Sequence, residues 1–315
     1  MRFHIVMLKT LKDLLSLKRS LIFLLLCLVP VFVISGAVKE GGPFNFAAMS
    51  LAMQTQTVGG LFIVLSFVWL AGVPIALLAA FTCANFISKE EADGTLLVIV
   101  SKPVRRHEII LGKFLAFLVN AALLELIVLL FAPLLFFNMA GIDPSVLDYL
   151  LGLVPFIFLY SMFIAFIFGA ISTALSVLSR SSAKIVIALV ALVILVYFGF
   201  PFFIRLPAES IYDRYGLSYF DVNYHLGNSY LLFLGDHKIM PTFQAALGQF
   251  AGVYDAGAAY PAGPESIYDP DLAAMPPSLE LKTYTHPVIS LGAWLVLSLL
   301  IFVGGLLRFE RKEIY

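Results

Sequence analysis

The sequence predicts an all-α integral membrane protein with six transmembrane helices, an N-terminal amphipathic interfacial helix, and one large extracytoplasmic loop between helices 5 and 6. Three observations lead there. Of the 315 residues, 61% are hydrophobic and only 13% are charged, against roughly 25% charged in a soluble domain, and the mean hydropathy is +0.98. Six apolar segments, at about 21–38, 58–81, 114–137, 151–177, 185–204 and 287–307, stand out along the chain. Each is long enough to cross a hydrocarbon core of about 30 Å, which takes ~20 helical residues. None shows the period-two alternation of a membrane-spanning strand, and a backbone in lipid must satisfy its hydrogen bonds within itself, so the segments read as helices.

Residues 1–20 read as a single amphipathic helix. At about 100° per residue, Arg2, Lys9, Lys12, Asp13, Ser16 and Arg19 share one arc, while Phe3, Val6, Met7, Leu11, Leu14 and Leu17 fill the other side and Ile5 is the exception. A basic face opposite an apolar one suits a helix in the cytoplasmic membrane interface. The alternative is a plain extension of the first span into water. No small-residue cleavage pattern accompanies the first span, so no cleavable signal peptide is expected. Cys27 and Cys83 lie in separate apolar segments and imply packing rather than a disulfide framework.

Five spans contain a proline, at Pro30, Pro74, Pro133, Pro155 and Pro201, each of which removes a helix hydrogen bond and invites a kink. Gly59–Gly60, and Gly169 with Thr173, are small-residue pairs that let helices approach closely.

Orientation follows from lysine and arginine. Six spans put both termini, the 88–113 segment and the 178–184 turn on one side, which then holds 15 of the 20 basic residues. The opposite side keeps Lys39, Arg205, Arg214, Lys238 and Lys282, with twelve of the twenty acids. The positive-inside rule makes the termini cytoplasmic, in a multi-pass protein of the cell membrane. The external loop, 205–286, is too long for a bare connection and holds nine of the thirteen tyrosines. Tyr224 to Leu234 and Phe243 to Phe250 are candidates for short interfacial helices, because tyrosine favours the headgroup zone. The Gly-, Ala- and Pro-rich piece from Ala251 to Pro277 reads as irregular loop.

The 88–113 segment is the longest charged run between two spans. Glu90, Glu91 and Asp93 lead into Gly94, which takes positive φ without steric cost and so ends a helix. Thr95 follows, then the apolar patch Leu96 to Val100, which includes Leu97. Pro103 makes a second break by biasing Lys102 away from the helical region, and Glu108 lies in the first turn of the next helix. An apolar patch on a charged excursion is placed to touch something, although composition alone equally fits an ordinary interfacial loop.

Several chemistries are excluded. His107-Glu108-Ile-Ile-Leu111 opens like a zinc-protease helix, but Leu111 replaces the second histidine. Glu90–Glu91 resembles the start of a Glu-Glu-x-x-x-Arg peptidase motif, with Thr95 at the arginine position. Gly112–Lys113 lacks the upstream glycine and the Ser/Thr of a P-loop. No enzyme activity, metal, cofactor or nucleic acid is therefore expected on this chain. Glu125 is the one acid inside a span, at a cost of about 2.5–3.5 kcal/mol on insertion scales, so it should face protein or water. The open readings are a polar contact in a substrate or proton path, an interhelical hydrogen bond with Asn120, Ser161 or Ser172 as donor, or a protonated carboxyl.

A resemblance narrows these choices. Lys89-Glu-Glu-Ala-Asp-Gly-Thr-Leu-Leu97 with Ser101-Lys-Pro-Val-Arg-Arg-His-Glu-Ile-Ile-Leu-Gly-Lys113 resembles the loop between the second and third spans of type-2 ATP-binding-cassette (ABC) transporter permeases. The flavour is that of the branch that includes the permease for nitrous-oxide-reductase maturation. Ala174-Leu-Ser-Val-Leu-Ser-Arg-Ser-Ser-Ala-Lys184 resembles that family's turn between spans four and five, and Arg308-Phe-Glu-Arg-Lys-Glu-Ile314 its C-terminal tail. The family usually has Ser or Thr where Arg105 stands, completing a capping box with the acid three residues on. Arg105 has no acceptor for that role.

The resemblance implies a permease subunit working with a separate ABC ATPase, which carries the ATP and Mg, and with a second permease copy in a homodimer or heterodimer. Glu90, Glu91, Asp93, Gly94, Thr95, Leu96, Leu97, Pro103 and Glu108 would form the ATPase-coupling region, and the cargo would be hydrophobic or amphiphilic and exported. Two alternatives from other classes remain: a membrane anchor or assembly platform working through its external loop, and an ion-driven carrier using Glu125.

Overall fold

The computed structural model describes residues 3–39, 49–95, 105–207, 209–235, 239, 241–255 and 279–312. The protein is an all-α integral membrane protein, with six helical segments among the described residues long and apolar enough to cross a membrane. The only strand-like feature among the described residues is an isolated antiparallel bridge between Tyr254 and Leu281. The helices are α1 (Phe3–Leu14), α2 (Leu17–Lys39), α3 (Leu51–Leu65), α4 (Val73–Cys83), α5 (Ser88–Ala92), α6 (Arg106–Ala140), α7 (Pro144–Leu178), α8 (Ser182–Ile194), α9 (Glu209–Arg214), α10 (Val222–Leu234), α11 (Pro241–Ala251) and α12 (Pro287–Glu310). Two π-helical stretches, Ser66–Leu70 after α3 and Leu195–Arg205 after α8, extend these spans.

Helix starts are set by side chains that satisfy the first free amides. Asp143 accepts from Ser145 N–H at 2.8 Å and Pro144 follows it, where a missing N–H costs nothing. His286 caps α12 through Val288 N–H at 3.3 Å, again with a proline next. The N-terminal helix departs from its expected single run: α1 ends at Leu14, and α2 begins at Leu17. Val6, Met7, Leu11 and Leu14 face inward on α1, which packs on α6 beside Gly112, while Ile5 and Leu8 stay exposed.

The second span is broken. The chain leaves the π-helical stretch at Ala71 and restarts after Gly72, whose φ of −97° and ψ of −98° fit neither helix nor strand. A Cβ at Gly72 would lie 2.3 Å from the Phe67 carbonyl oxygen, so only glycine fits. Pro74, expected as a mid-span kink, instead sits in the first turn of α4. Pro30, Pro133 and Pro155 lie inside α2, α6 and α7, and Pro201 lies in the second π-helical stretch.

The core forms around α6 and α7, each of 35 residues. At 1.5 Å per residue each is about 52 Å long, so both project beyond a ~30 Å hydrocarbon layer. Helix α7 packs against α3, α4, α6, α10 and α12, and α6 against α1 and α2. The small residues expected to bring backbones together receive aromatic rings instead. Gly169 lies under the Phe117 ring, Gly59 under Tyr149 and Gly60 under Phe243. True backbone approach occurs at Gly305 of α12, where a Cβ would come 2.8 Å from the Ala174 Cα.

The region after the fifth span folds back onto the bundle. Tyr224, Leu226, Asn228 and Tyr230 of α10 are buried against α7 and α12, and the Tyr230 hydroxyl donates to the Ile63 carbonyl at 2.8 Å. The expected interfacial helix is therefore a packed one. Buried Arg205 anchors this region by donating to the fully buried Asp221 carboxylate. Asp221 also accepts from the Tyr212 hydroxyl at 3.0 Å and caps α10 through Tyr224 N–H at 3.2 Å.

Candidate functional site

The candidate site lies at the end of the bundle where α1, α5, the start of α6, the end of α7 and the end of α12 meet. Glu90 and Glu91 are on α5, a single turn that the chain forms after α4. Asp93 ends it, with its N–H bonded to the Lys89 carbonyl at 2.9 Å. Gly94 follows at φ +69°, the left-handed conformation expected of it, and donates to the Glu91 carbonyl at 3.2 Å. Thr95 turns its hydroxyl back to the Glu90 carbonyl at 3.3 Å. Leu96, Leu97 and Pro103 lie outside the described residues.

The two glutamates are wired in opposite directions. The Glu90 carboxylate lies 2.5 Å from Lys113 Nζ of α6, and the same ammonium donates to the Phe86 carbonyl at 2.5 Å. The Glu91 side chain, 11% exposed, takes a different pair of cations. One oxygen accepts from Arg180 Nε at 2.9 Å and the other from Lys312 Nζ at 2.6 Å. Lys312 also donates to the Val177 carbonyl, near the end of α7, at 2.9 Å. Exposed ion pairs contribute about 0–1 kcal/mol, but hydrogen bonds to charged groups reach about 1.5–3 kcal/mol. With Arg180 largely exposed, its bond belongs to the first range, while the more enclosed Lys312 bond belongs nearer the second.

A second set of bonds joins α6 to α12. Arg106 donates from Nη1 to the carbonyls of Phe309 and Glu310, each at 3.2 Å, and of Lys312 at 2.5 Å. A cation on the last carbonyls of a helix complements both their unpaired lone pairs and the helix dipole. His107 Nδ1 lies 2.9 Å from the Glu310 carboxylate. Helix α6 starts at Arg106, and the Glu108 carboxylate accepts from Arg105 N–H at 3.4 Å. Since a guanidinium has no acceptor, only the glutamate half of the capping box operates.

Residues far apart in sequence, Glu90 and Glu91 of α5, Arg106 and Lys113 of α6, Arg180 after α7, and Glu310 and Lys312 at the end of α12, thus meet in one ionic network. The sequence singles out Glu90 and Glu91, but it assigns no partner role to Glu310, Arg106, Lys113, Arg180 or Lys312, which it shows only as charges near the span ends and within the segments that carry the resemblance. The available signal was that every one of them lies within a few residues of a span end.

Glu125 stands apart from this network, on α6 and 0% exposed. Neither carboxyl oxygen has a hydrogen-bond partner among the described residues. None of the three candidate donors bonds it: Ser161 donates to the Phe158 carbonyl of its own helix at 2.8 Å, and neither Asn120 nor Ser172 forms a hydrogen bond to the Glu125 carboxyl. Glu125→Gln is therefore expected to leave folding and transport intact, and Glu125→Leu to melt at an equal or higher temperature, because an unsatisfied buried polar group is being removed. Transport lost in a well-folded glutamine variant would instead favour a proton-carrying role.

No group of three or more His, Cys, Asp or Glu side chains placed to hold a metal occurs among the described residues. A family model described as "ABC-2 family transporter protein" matches residues 6–314, nearly the whole chain. No curated protein matches it.

Proposed function

The chain belongs to the ABC-2 transporter family as the membrane permease component of an ABC transporter, and from that premise we propose that it exports a hydrophobic or amphiphilic substrate, driven through the 88–113 segment. The energy comes from a separate ABC ATPase, which binds the ATP and Mg. Two permease copies and two ATPases make the working unit, in the cell membrane, with both permease termini cytoplasmic. Glu90, Glu91, Asp93, Gly94, Thr95, Leu96, Leu97, Pro103 and Glu108 form the coupling region, and ATP-driven closure of the ATPases moves α5.

One observation carries this reading: α5 is bonded to the ends of three spans at once. Glu90 holds α6 through Lys113, and Glu91 holds the α7–α8 turn through Arg180 and the α12 end through Lys312. A displacement of α5 therefore reaches α6, α7 and α12 without passing through a soft linker. The break at Gly72 sits in the same span as α5, which gives that span a place to bend. The apolar interior, with Phe67, Tyr160, Tyr197 and Tyr230 clustered beside the break, suits an apolar cargo better than an ion.

Because ATP is available only in the cytoplasm, the coupling end must face it. In a chain with Cys27 and Cys83 replaced by serine, single cysteines at Arg2, Ser182 and Glu313 are expected to react with an impermeant thiol reagent only from the cytoplasm, and one at Asp255 only from outside. External labelling at Ser182 would place the coupling end out of reach of ATP and end this proposal.

A further inference from the structure

A cavity of about 640 Å³ opens between α2 and α4 at the same end of the bundle. Its inner wall is apolar, formed by Ile22, Phe23 and Leu26 of α2 and by Leu77, Leu78 and Phe81 of α4. Ile22, Leu26 and Phe81 are among the exposed large hydrophobic residues, so this wall is open toward the lipid side. From Leu77 to Asn85 it extends roughly 12 Å at 1.5 Å per residue. The mouth is of the opposite character. Asp13, Arg19, Lys89 and Asp93 line it, together with the Glu90–Lys113 pair, which is already self-neutralised.

The four remaining charged residues are all exposed, and none of their side chains forms a hydrogen bond or ion pair with another described residue. Two cations and two carboxylates therefore face one opening above an apolar slot. A wholly apolar ligand leaves all four idle. An anionic headgroup engages Arg19 and Lys89 but brings like charge against Asp13 and Asp93. A headgroup carrying both a phosphate and an ammonium matches both pairs, since guanidinium and ammonium groups bind phosphate and carboxylates bind ammonium through charge-assisted hydrogen bonds.

We propose that this cavity binds a membrane phospholipid with an amine-bearing zwitterionic headgroup, of the phosphatidylethanolamine class. The phosphate meets Arg19 and Lys89, the amine meets Asp13 and Asp93, and the upper acyl chain lies along the α2–α4 wall. This site stands whether or not the chain exports such a lipid, because its geometry does not depend on the ATPase.

The test is native mass spectrometry of the full-length chain released from vesicles holding equal amounts of phosphatidylethanolamine and phosphatidylglycerol. The expected result is one retained phosphatidylethanolamine, preferred over phosphatidylglycerol by about tenfold, which corresponds to ~1.4 kcal/mol. Asp13→Asn with Asp93→Asn should bring that ratio near one, while Arg19→Gln with Lys89→Gln should reduce retention of both lipids. All four positions are exposed, so the variants are not expected to disturb folding. Equal retention of the two lipids by the unaltered chain, a ratio unmoved in the asparagine variant, or a second copy of the chain retained in place of lipid would each overturn the proposal.

Discussion

Replacing Glu91 by lysine is expected to abolish ATP-driven transport in a chain that still inserts and folds. The native carboxylate accepts from Arg180 at 2.9 Å and from Lys312 at 2.6 Å. Lysine there exchanges two attractions for two repulsions, and unit charges 4 Å apart at an effective dielectric of 20 interact by about 4 kcal/mol. Even after side chains swing apart, α5 has lost its ties to the α7–α8 turn and to α12. The bundle itself is held by burial along α6 and α7, which this change does not touch, so the melting temperature should move little. Glu91→Gln should fall between, because an amide keeps one acceptor without the charge. Pairing Glu91→Lys with Lys312→Glu should restore part of the activity. Full transport by Glu91→Lys in reconstituted vesicles would show that these bonds transmit nothing.

The largest loss of stability is expected from Asp221→Ala. Asp221 is 0% exposed and holds Arg205, the Tyr212 hydroxyl and the first turn of α10 together. Burial, followed by the charge of Asp221, pushes the Tyr212 phenol well above its ordinary pKa, so this tyrosine remains the donor. Removing the carboxylate leaves a buried guanidinium without its counter-charge, a change that costs about 3–5 kcal/mol, and it also removes a helix cap worth about 1 kcal/mol. Thermal unfolding in detergent should show the loss. Asp221→Asn, whose one amide oxygen can still accept the cap hydrogen bond from Tyr224 N–H, should recover part of it.

Much of the architecture was legible because membrane burial writes itself into composition. Runs of apolar residues marked the six spans, and Gly94 and Glu108 marked helix boundaries through local chemistry that needs no tertiary information. The break at Gly72 was not legible in the same way. A glycine two residues before Pro74 looks like many others, and only the approach of the Phe67 carbonyl to Gly72 fixes its meaning. The packing of α10 into the bundle was missed because its tyrosines fit the headgroup zone as well as they fit a buried contact. At the candidate site the acids were visible, but their partners were not. Arg180 and Lys312 lie 89 and 221 residues from Glu91, and periodicity carries no information over such distances. The same limit applies to the Gly305–Ala174 crossing, which replaced the glycine contacts that short-range spacing had singled out.

The proposed role of the 88–113 segment is to receive force from an ATPase. It is tested most directly by replacing Leu96 and Leu97 with alanine and measuring copurification of the ATPase with the full-length chain. Interface energy concentrates in a few apolar anchors that cost about 2 kcal/mol or more when truncated, so the pair should release most of the ATPase and abolish transport while membrane insertion and melting temperature stay unchanged. Lys238→Glu, in the loop after the fifth span, serves as the control and should leave ATPase binding as it was. Undiminished ATPase binding and transport in the Leu96→Ala, Leu97→Ala chain would show that this segment does not receive the force of the ATPase.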